Sequence, residues 1–196
     1  MTIMKHLPYR AEIALPGGER ATVRTLCAED VEMLAAFFLG LSEQTRSTYG
    51  PHPFDRRTAE QLCADIAEDA ALRFLAVRRD GTADTEIIGY MILDLKIREG
   101  DLARLGDKLQ PDARACLAPV IADAYQGKGI GMQMAQCVLE AARAMGLRQV
   151  VLMGGVLADN PRARRLYERL GFRYVGEFWS AGPPRRLNYD MILDLA

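Results

Sequence analysis

Histidine is scarce in this chain: His6 and His52 are the only two. The four cysteines, Cys27, Cys63, Cys116 and Cys137, stand singly among apolar neighbours, with no C-x-x-C pair. Both shortages argue against a zinc centre, so no metal is expected. Dispersed cysteines also argue against a disulfide framework; they read as reduced core thiols of a cytoplasmic protein. No apolar run reaches 18 residues, so no helix is expected to span a membrane. The first residues include Lys5, Arg10 and Glu12 and lack the apolar stretch of a secretory signal. Neither charge dominates: 25 Lys and Arg stand against 26 Asp and Glu. Binding along nucleic acid usually needs a basic excess, so no nucleic-acid partner is expected. Internal repeats and low-complexity tracts are missing as well.

What is present suits one soluble domain: 196 residues, 49% hydrophobic and 26% charged. We read residues 1–196 as a single domain, with a core over about 20–194 and an N-terminal extension at 1–19. "RATVRT" (20–25) alternates like a strand. "CAEDVEMLAAFFLG" reads as a helix ending at Gly40. Residues 41–57 are rich in Gly, Pro and polar side chains and read as a loop. A second helix is expected from Thr58, its cap, through "TAEQLCADIAEDA". Strands at 73–78 and 86–97 flank the turn-rich "RDGTADT". Residues 98–112 are charged and irregular, and 113–122 form a buried strand.

Then comes "AYQGKGIGMQ" (124–133), with Gly127, Gly129 and Gly131 in five positions. A helix follows, because Ile130, Met134, Cys137, Val138, Ala141 and Met145 recur at three- and four-residue steps, and Gly146 ends it. "RQVVLMGG" is the next strand, so the glycines sit in a strand–loop–helix–strand unit. "ADNPRARRLYERLGF" predicts a further helix, with Asp159 or Asn160 as cap, Pro161 in the first turn and Gly171 at the end. The runs "FRYVGEF" and "LNYDMILDL" close the chain as strands.

A helix N-terminus offers unpaired N–H groups and about half a positive charge. Glycines let a phosphate approach those groups without a Cβ in the way, and Lys128 adds a cation. Two common nucleotide loops fail here. Gly127-Lys128 is followed by Gly129, where a Walker loop needs Ser or Thr. In G-x-G-x-x-G the third glycine position falls on Met132.

The pattern Q/R-x-x-G-x-G/A is met by Gln126, Gly129 and Gly131. With Tyr125 and the strand before it, "VIADAYQGKGIG" resembles the coenzyme A pyrophosphate loop of the GNAT superfamily of N-acetyltransferases. "NPRARRLYERLGFRYVGE" resembles that superfamily's second signature: Asn160, Tyr167, then Gly171 and Phe172. "TVRTLCAEDVEML" looks like its opening strand and helix. The likeness in element order spans 20–194 and is most specific over 116–178. One departure is Asp123, where the family often has proline; an acid so close to a pyrophosphate is mildly unfavourable.

The resemblance implies an α+β, sandwich-like fold: a mixed, mostly antiparallel twisted sheet of six to seven strands with about four helices. It implies acetyl-CoA as cosubstrate. Backbone N–H groups of Gln126, Gly127, Lys128, Gly129, Ile130 and Gly131 would hold the pyrophosphate. Main chain at Val120 and Ile121 would pair with the pantetheine arm and could polarise the thioester carbonyl. Asn160 would lie near the pantetheine, Arg164 near the 3′-phosphate, and Tyr167 would protonate the leaving thiolate.

Each residue also has a plainer reading. Tyr167 lies on the apolar face Ala163, Leu166, Tyr167 and Leu170 and could be a core aromatic. Arg162, Arg164, Arg165 and Arg169 could be a solvated face, His52 a loop residue and Cys116 a small buried hydrophobe. Glu86 and Asp94 are candidate bases, beside a water relay; Asp94 could equally be structural. The activity expected is transfer of acetyl from acetyl-CoA to a primary amine, a small molecule or a peptide terminus, by direct attack. The alternative is a non-catalytic module that senses or scaffolds coenzyme A. A second copy of the chain, as a homodimer, is the other partner considered.

Overall fold

The computed structural model of the chain describes residues 9–66, 70–112, 114–181 and 183–195. The first eight residues of the expected extension and the 67–69 end of the second expected helix lie outside them. The described residues form β1 (Arg10–Ala14), β2 (Arg20–Thr25), α1 (Val31–Gly40), α2 (Glu43–Thr48), α3 (Arg56–Ala64), β3 (Ala71–Asp80) and β4 (Ala83–Asp94). They continue with α4 (Glu99–Leu105), β5 (Arg114–Ile121), α5 (Ile130–Ala144), β6 (Gln149–Leu152), β7 (Val156–Leu157), α6 (Pro161–Arg169), β8 (Arg173–Trp179) and β9 (Leu187–Asp194). One sheet runs β1-β2-β3-β4-β5-β6-β9-β7, with β8 on β9. Every pairing is antiparallel except β5 with β6, joined by the expected crossover through α5. The α+β class is as read, with more elements than the six to seven strands and four helices expected.

The sheet is the filling of a sandwich. Alternate residues of β3 go to opposite faces. Phe74 and Ala76 belong to the core layer of Ile130, Met134 and Val138 of α5, while Leu75 and Val77 belong to that of Leu34, Phe38, Ala59 and Cys63 of α1 and α3. Cys63, Cys116 and Cys137 are buried thiols, as expected. No helix among the described residues is long and apolar enough to cross a membrane.

Several boundaries differ from the sequence reading. The segment read as an extension contains β1, which is held twice: by β2, and by Gln133 of α5, whose side chain hydrogen-bonds Ala14 N and Ala14 O, both at 2.9 Å. The cap of α3 is Asp55, not Thr58: the Asp55 carboxylate accepts from Thr58 N at 2.7 Å. A carboxylate three residues ahead is the better acceptor for that orphan N–H. The segment 41–57 contains α2, capped by Ser42, and 98–112 contains α4. The β3–β4 ladder continues through the charged residues to Asp80↔Ala83, leaving only Gly81 and Thr82 as the turn.

Candidate active site

β5 and β6 run together only from Arg114↔Gln149 to Leu117↔Leu152. One more bond follows, from Met153 N to Leu117 O at 3.0 Å. Then Gly154 and Gly155 take φ of 68° and 69°, and the chain leaves to pair with β9 as β7. A Cβ on Gly155 would lie 2.8 Å from the Tyr189 carbonyl oxygen, so no other residue fits. The last four residues of β5, Ala118–Ile121, thus have β4 on one edge and a gap on the other.

The glycine loop closes the end of this gap. Gly129, at φ 82°, is the N-cap of α5 and brings no side chain to its end. The helical ladder begins at Gln133 N, which donates to Gly129 O at 3.3 Å. The N–H groups of Ile130, Gly131 and Met132 therefore have no partner within the helix. Gly127 also has positive φ, at 75°, and a Cβ at either position 127 or 129 would touch nothing within 4 Å. Backbone strain, and not crowding, reserves these positions for glycine. The result is an open nest of main-chain donors on a helix dipole, the arrangement a pyrophosphate requires. The Lys128 ammonium lies 5.4 Å from the Tyr125 ring centroid.

Side chains brace this loop from both sides. Gln126 Nε2 donates to Ile121 O and to Thr45 Oγ1, both at 3.1 Å, and Gln126 Oε1 accepts from Arg162 at 3.0 Å. Asp123 does not face the nest. Its carboxylate accepts from Ser42 N at 2.9 Å, Ser42 Oγ at 2.6 Å and Thr45 Oγ1 at 2.7 Å. Burial opposes its charge, yet the Ser42 and Thr45 hydrogen bonds together hold its pKa below the usual carboxylate range. The acid expected to disturb an anion instead anchors α2 to the loop.

Tyr167 is 7% exposed, against Phe172 in the core layer of α5. Its hydroxyl has no hydrogen-bond partner among the described residues, and burial pushes its pKa up. Tyr49 comes from the opposite layer and donates to Ala118 O at 3.0 Å. Burial, then the Tyr90 and Tyr167 phenols, push its pKa well above the ordinary tyrosine value. The two phenols thus approach each other from opposite faces where β5 and β6 part.

The other candidates are placed as follows. Asn160 caps α6, its Oδ1 accepting from Ala163 N at 3.1 Å. Arg164 turns outward, 3.6 Å from Glu168 and 5.0 Å from the Tyr189 ring centroid, while Arg162 is the α6 arginine that reaches the loop. Val120 and Ile121 pair with Tyr90 and Gly89 of β4 and form the last two residues of the strand that borders the gap. Glu86 accepts from Tyr125 Oη at 2.9 Å and from Arg78 at 3.4 Å; Asp94 accepts from Lys96 N at 2.9 Å. Burial pushes the Cys116 thiol up to about 12, which suits an inert core thiol.

Two groups escaped the sequence reading. One is the aromatic cluster of Phe38, Tyr49, His52, Phe54 and Tyr90 on the side of the 41–57 segment. The other starts from α4. Asp101 accepts from Arg104 at 2.6 Å and from Gly154 N at 3.1 Å, Arg104 also binds Asp190 at 3.0 Å, and its guanidinium covers the Phe178 ring at 3.6 Å. α4 therefore fixes the turn at which β6 leaves β5.

A split parallel pair with a glycine nest at its end defines a class, and the comparisons agree. The family model described as acetyltransferase (GNAT) domain matches residues 20–173. The chain belongs to that family, whose members use acetyl-CoA as acyl donor. L-methionine sulfoximine/L-methionine sulfone acetyltransferase of Pseudomonas aeruginosa is 36% identical over 62 residues, 32% of this chain and 35% of that protein. The chain spans about a third of the length of the curated relatives it matches. Among solved structures, the GNAT domain of S. lividans PAT superposes with a TM-score of 0.71 at 20% identity, over 97% of this chain and 100% of that one. Spermidine N-acetyltransferase from Vibrio cholerae, solved with CoA and spermine, gives 0.65 at 21% identity, over 89% and 95%. At these identities the likeness establishes the fold.

Proposed function

We propose that this chain is an N-acetyltransferase that moves the acetyl group of acetyl-CoA to a primary amine by direct attack. The observation that carries the reading is the Tyr167 phenol, which hydrogen-bonds nothing among the described residues and acts on Tyr49 near the point where β5 and β6 part. Its ring is held in the core while its hydroxyl keeps some contact with solvent, so that the proton can be given to a ligand there. In the proposed roles, the nest from Gln126 to Gly131 holds the pyrophosphate and the gap at Ile121 receives the pantetheine. Tyr167 protonates the departing thiolate. Asn160 orients the start of α6, and Arg162, in place of the expected Arg164, supplies positive charge beside the loop.

The acceptor we favour is an α-amine, of a small amino-acid-like molecule or a peptide terminus. Glu86 and Asp94 are both engaged elsewhere, and the charged groups acting on Tyr49 are Arg73 and Arg98. An α-amine, with a pKa of about 8, reaches its neutral form without a strong base, whereas a lysine-like amine near 10.4 does not. The methionine sulfoximine relative supports the same choice.

Thermal melting with acetyl-CoA, CoA and ATP tests the donor. A ligand at a hundredfold its Kd adds about 2.7 kcal/mol to the folded state. The CoA ligands should raise Tm and ATP should not; a response to ATP alone overturns the reading. In an amine screen, Tyr167→Phe should lower kcat about 10²-fold or more with KM for acetyl-CoA little changed.

A further inference from the structure

Arg98 is the N-cap of α4, and its side chain is exposed beside the point where β5 and β6 part. Its main-chain N–H faces the Cys116 thiol of β5, one residue before Leu117, the last to pair with β6. Within the first turn of α4, Asp101 accepts from Gly154 N at 3.1 Å, on the β6 side of the parting. The Arg98 guanidinium reaches over to the 41–57 segment, where Nη2 donates to Pro51 O at 3.0 Å. Its charge is felt there by Tyr49, on Ala118 O, and by His52. Cys116 and Ala118 lie in the layers away from α5, whereas Tyr167 lies in the layer of α5. Arg98 therefore stands on the face of the sheet opposite Tyr167 and the glycine nest.

Among the described residues no carboxylate pairs with Arg98; its hydrogen bond goes to a neutral carbonyl. The acids that act on its neighbours Cys116 and His52 are bound elsewhere: Asp101 to Arg104 at 2.6 Å, Asp94 to Lys96 N at 2.9 Å and Asp55 to Thr58 N at 2.7 Å. An exposed arginine is ordinarily a solvated side chain. This one is tethered by Pro51 O with Nε and Nη1 left over, so its planar fork is set for a second, anionic acceptor. We propose that Arg98 determines which amines are acetylated: its guanidinium takes the α-carboxylate of the acceptor, which is a free α-amino acid. The proposal rests on the acetyltransferase reading above. In an α-amino acid the carboxylate and the amine stand on one carbon, so a carboxylate held beside the parting strands brings the amine to the thioester. A peptide terminus has a neutral amide at that place, and a polyamine has a methylene and further cations that Arg98 repels. A charge-assisted, two-point contact of this kind is worth about 10- to 100-fold in binding.

The test uses the full chain as wild type, Arg98→Gln and Arg98→Lys, with acetyl-CoA as donor and calorimetric binding of CoA alongside. The acceptors are the common L-amino acids and the α-carboxamide of each, with a linear polyamine and a tripeptide for comparison. The wild type should turn over a free amino acid with kcat/KM about tenfold or more above that of its own carboxamide. Arg98→Gln should raise KM for that amino acid about 10- to 100-fold with kcat little changed, and leave the carboxamide and the CoA affinity within about threefold. Comparing acid and amide in both proteins cancels their different amine pKa values and any general damage to the site. Arg98→Lys should recover part of the loss, because it keeps the charge and loses the fork. Equal losses for acid and amide in Arg98→Gln make the residue structural and overturn the proposal. A preference for the acid that Arg98→Gln leaves in place overturns it too, as does CoA binding by the wild type without turnover of any free amino acid. No CoA binding by the wild type overturns the acetyltransferase reading itself. Where Arg98→Gln does not fold, Arg98→Lys should still raise KM for the acid more than for the amide; equal effects there also overturn the proposal.

Discussion

His52 Nε2 and Tyr90 Oη lie 3.1 Å apart, and the chemistry at their other ends fixes the direction of the bond. His52 Nδ1 is 2.8 Å from Pro53 O, which can only accept, so Nδ1 carries the proton. Tyr90 Oη in turn accepts from Arg73 Nε at 3.1 Å. In the neutral ring Nε2 is therefore the acceptor and Tyr90 the donor.

Burial, with Arg73 and Arg98 nearby, lowers the pKa of His52 in spite of its bond to Pro53 O. A folded pKa below the unfolded one favours the unfolded chain when the ring is protonated. The contribution is complete above the unfolded value of about 6.5 and is lost as pH falls below it. Tm should therefore drop between pH 7.5 and pH 5, and His52→Gln should flatten that drop. Equal slopes for the two proteins would remove His52 from the account.

Asp123→Ala should loosen α2 from the phosphate loop. Three hydrogen bonds are lost, but the site is exposed, so the stability cost should be about 1–2 kcal/mol by urea denaturation. CoA affinity should fall several-fold, because the loop loses its brace. An affinity that rises instead would restore the view of Asp123 as an electrostatic penalty.

Arg104 is shared by two buried carboxylates, Asp101 at 3% and Asp190 at 4% side-chain exposure. Arg104→Met leaves both uncompensated and should cost about 3–5 kcal/mol. Asp101→Asn keeps the Arg104–Asp190 pair and should cost less. The reverse order in denaturant midpoints would show that the link from Asp101 to Gly154, and not charge balance, dominates.

The glycine nest ahead of α5 was legible because glycine spacing, helix periodicity and caps all bear on the same ten residues. The closing helix was legible from Asn160, Pro161 and Gly171. What escaped depends on tertiary contact. β1 has five residues and little pattern, and it is a strand because β2 and Gln133 hold it. α2 and α4 are too short for a periodicity, and two of the charges that made 98–112 look irregular, Asp101 and Arg104, are paired inside. Helix spacing could not tell that Arg162, and not Arg164, turns to the loop. One signal was present and unread: Pro119 in an otherwise buried strand marks an edge without a partner.

Thr45 has a consequence for the order in which substrates arrive. Its hydroxyl donates to Asp123 at 2.7 Å and accepts from Gln126 at 3.1 Å. One oxygen thus couples the phosphate loop to α2 and the segment leading to Tyr49 and His52. Whatever settles on the loop stiffens the segment leading to Tyr49 and His52, so in the proposed reaction the acyl donor should enter first and the spent carrier should leave last. In steady-state kinetics, CoA would then compete with acetyl-CoA and not with the amine; competition with the amine would mean that the two halves of the site fill independently.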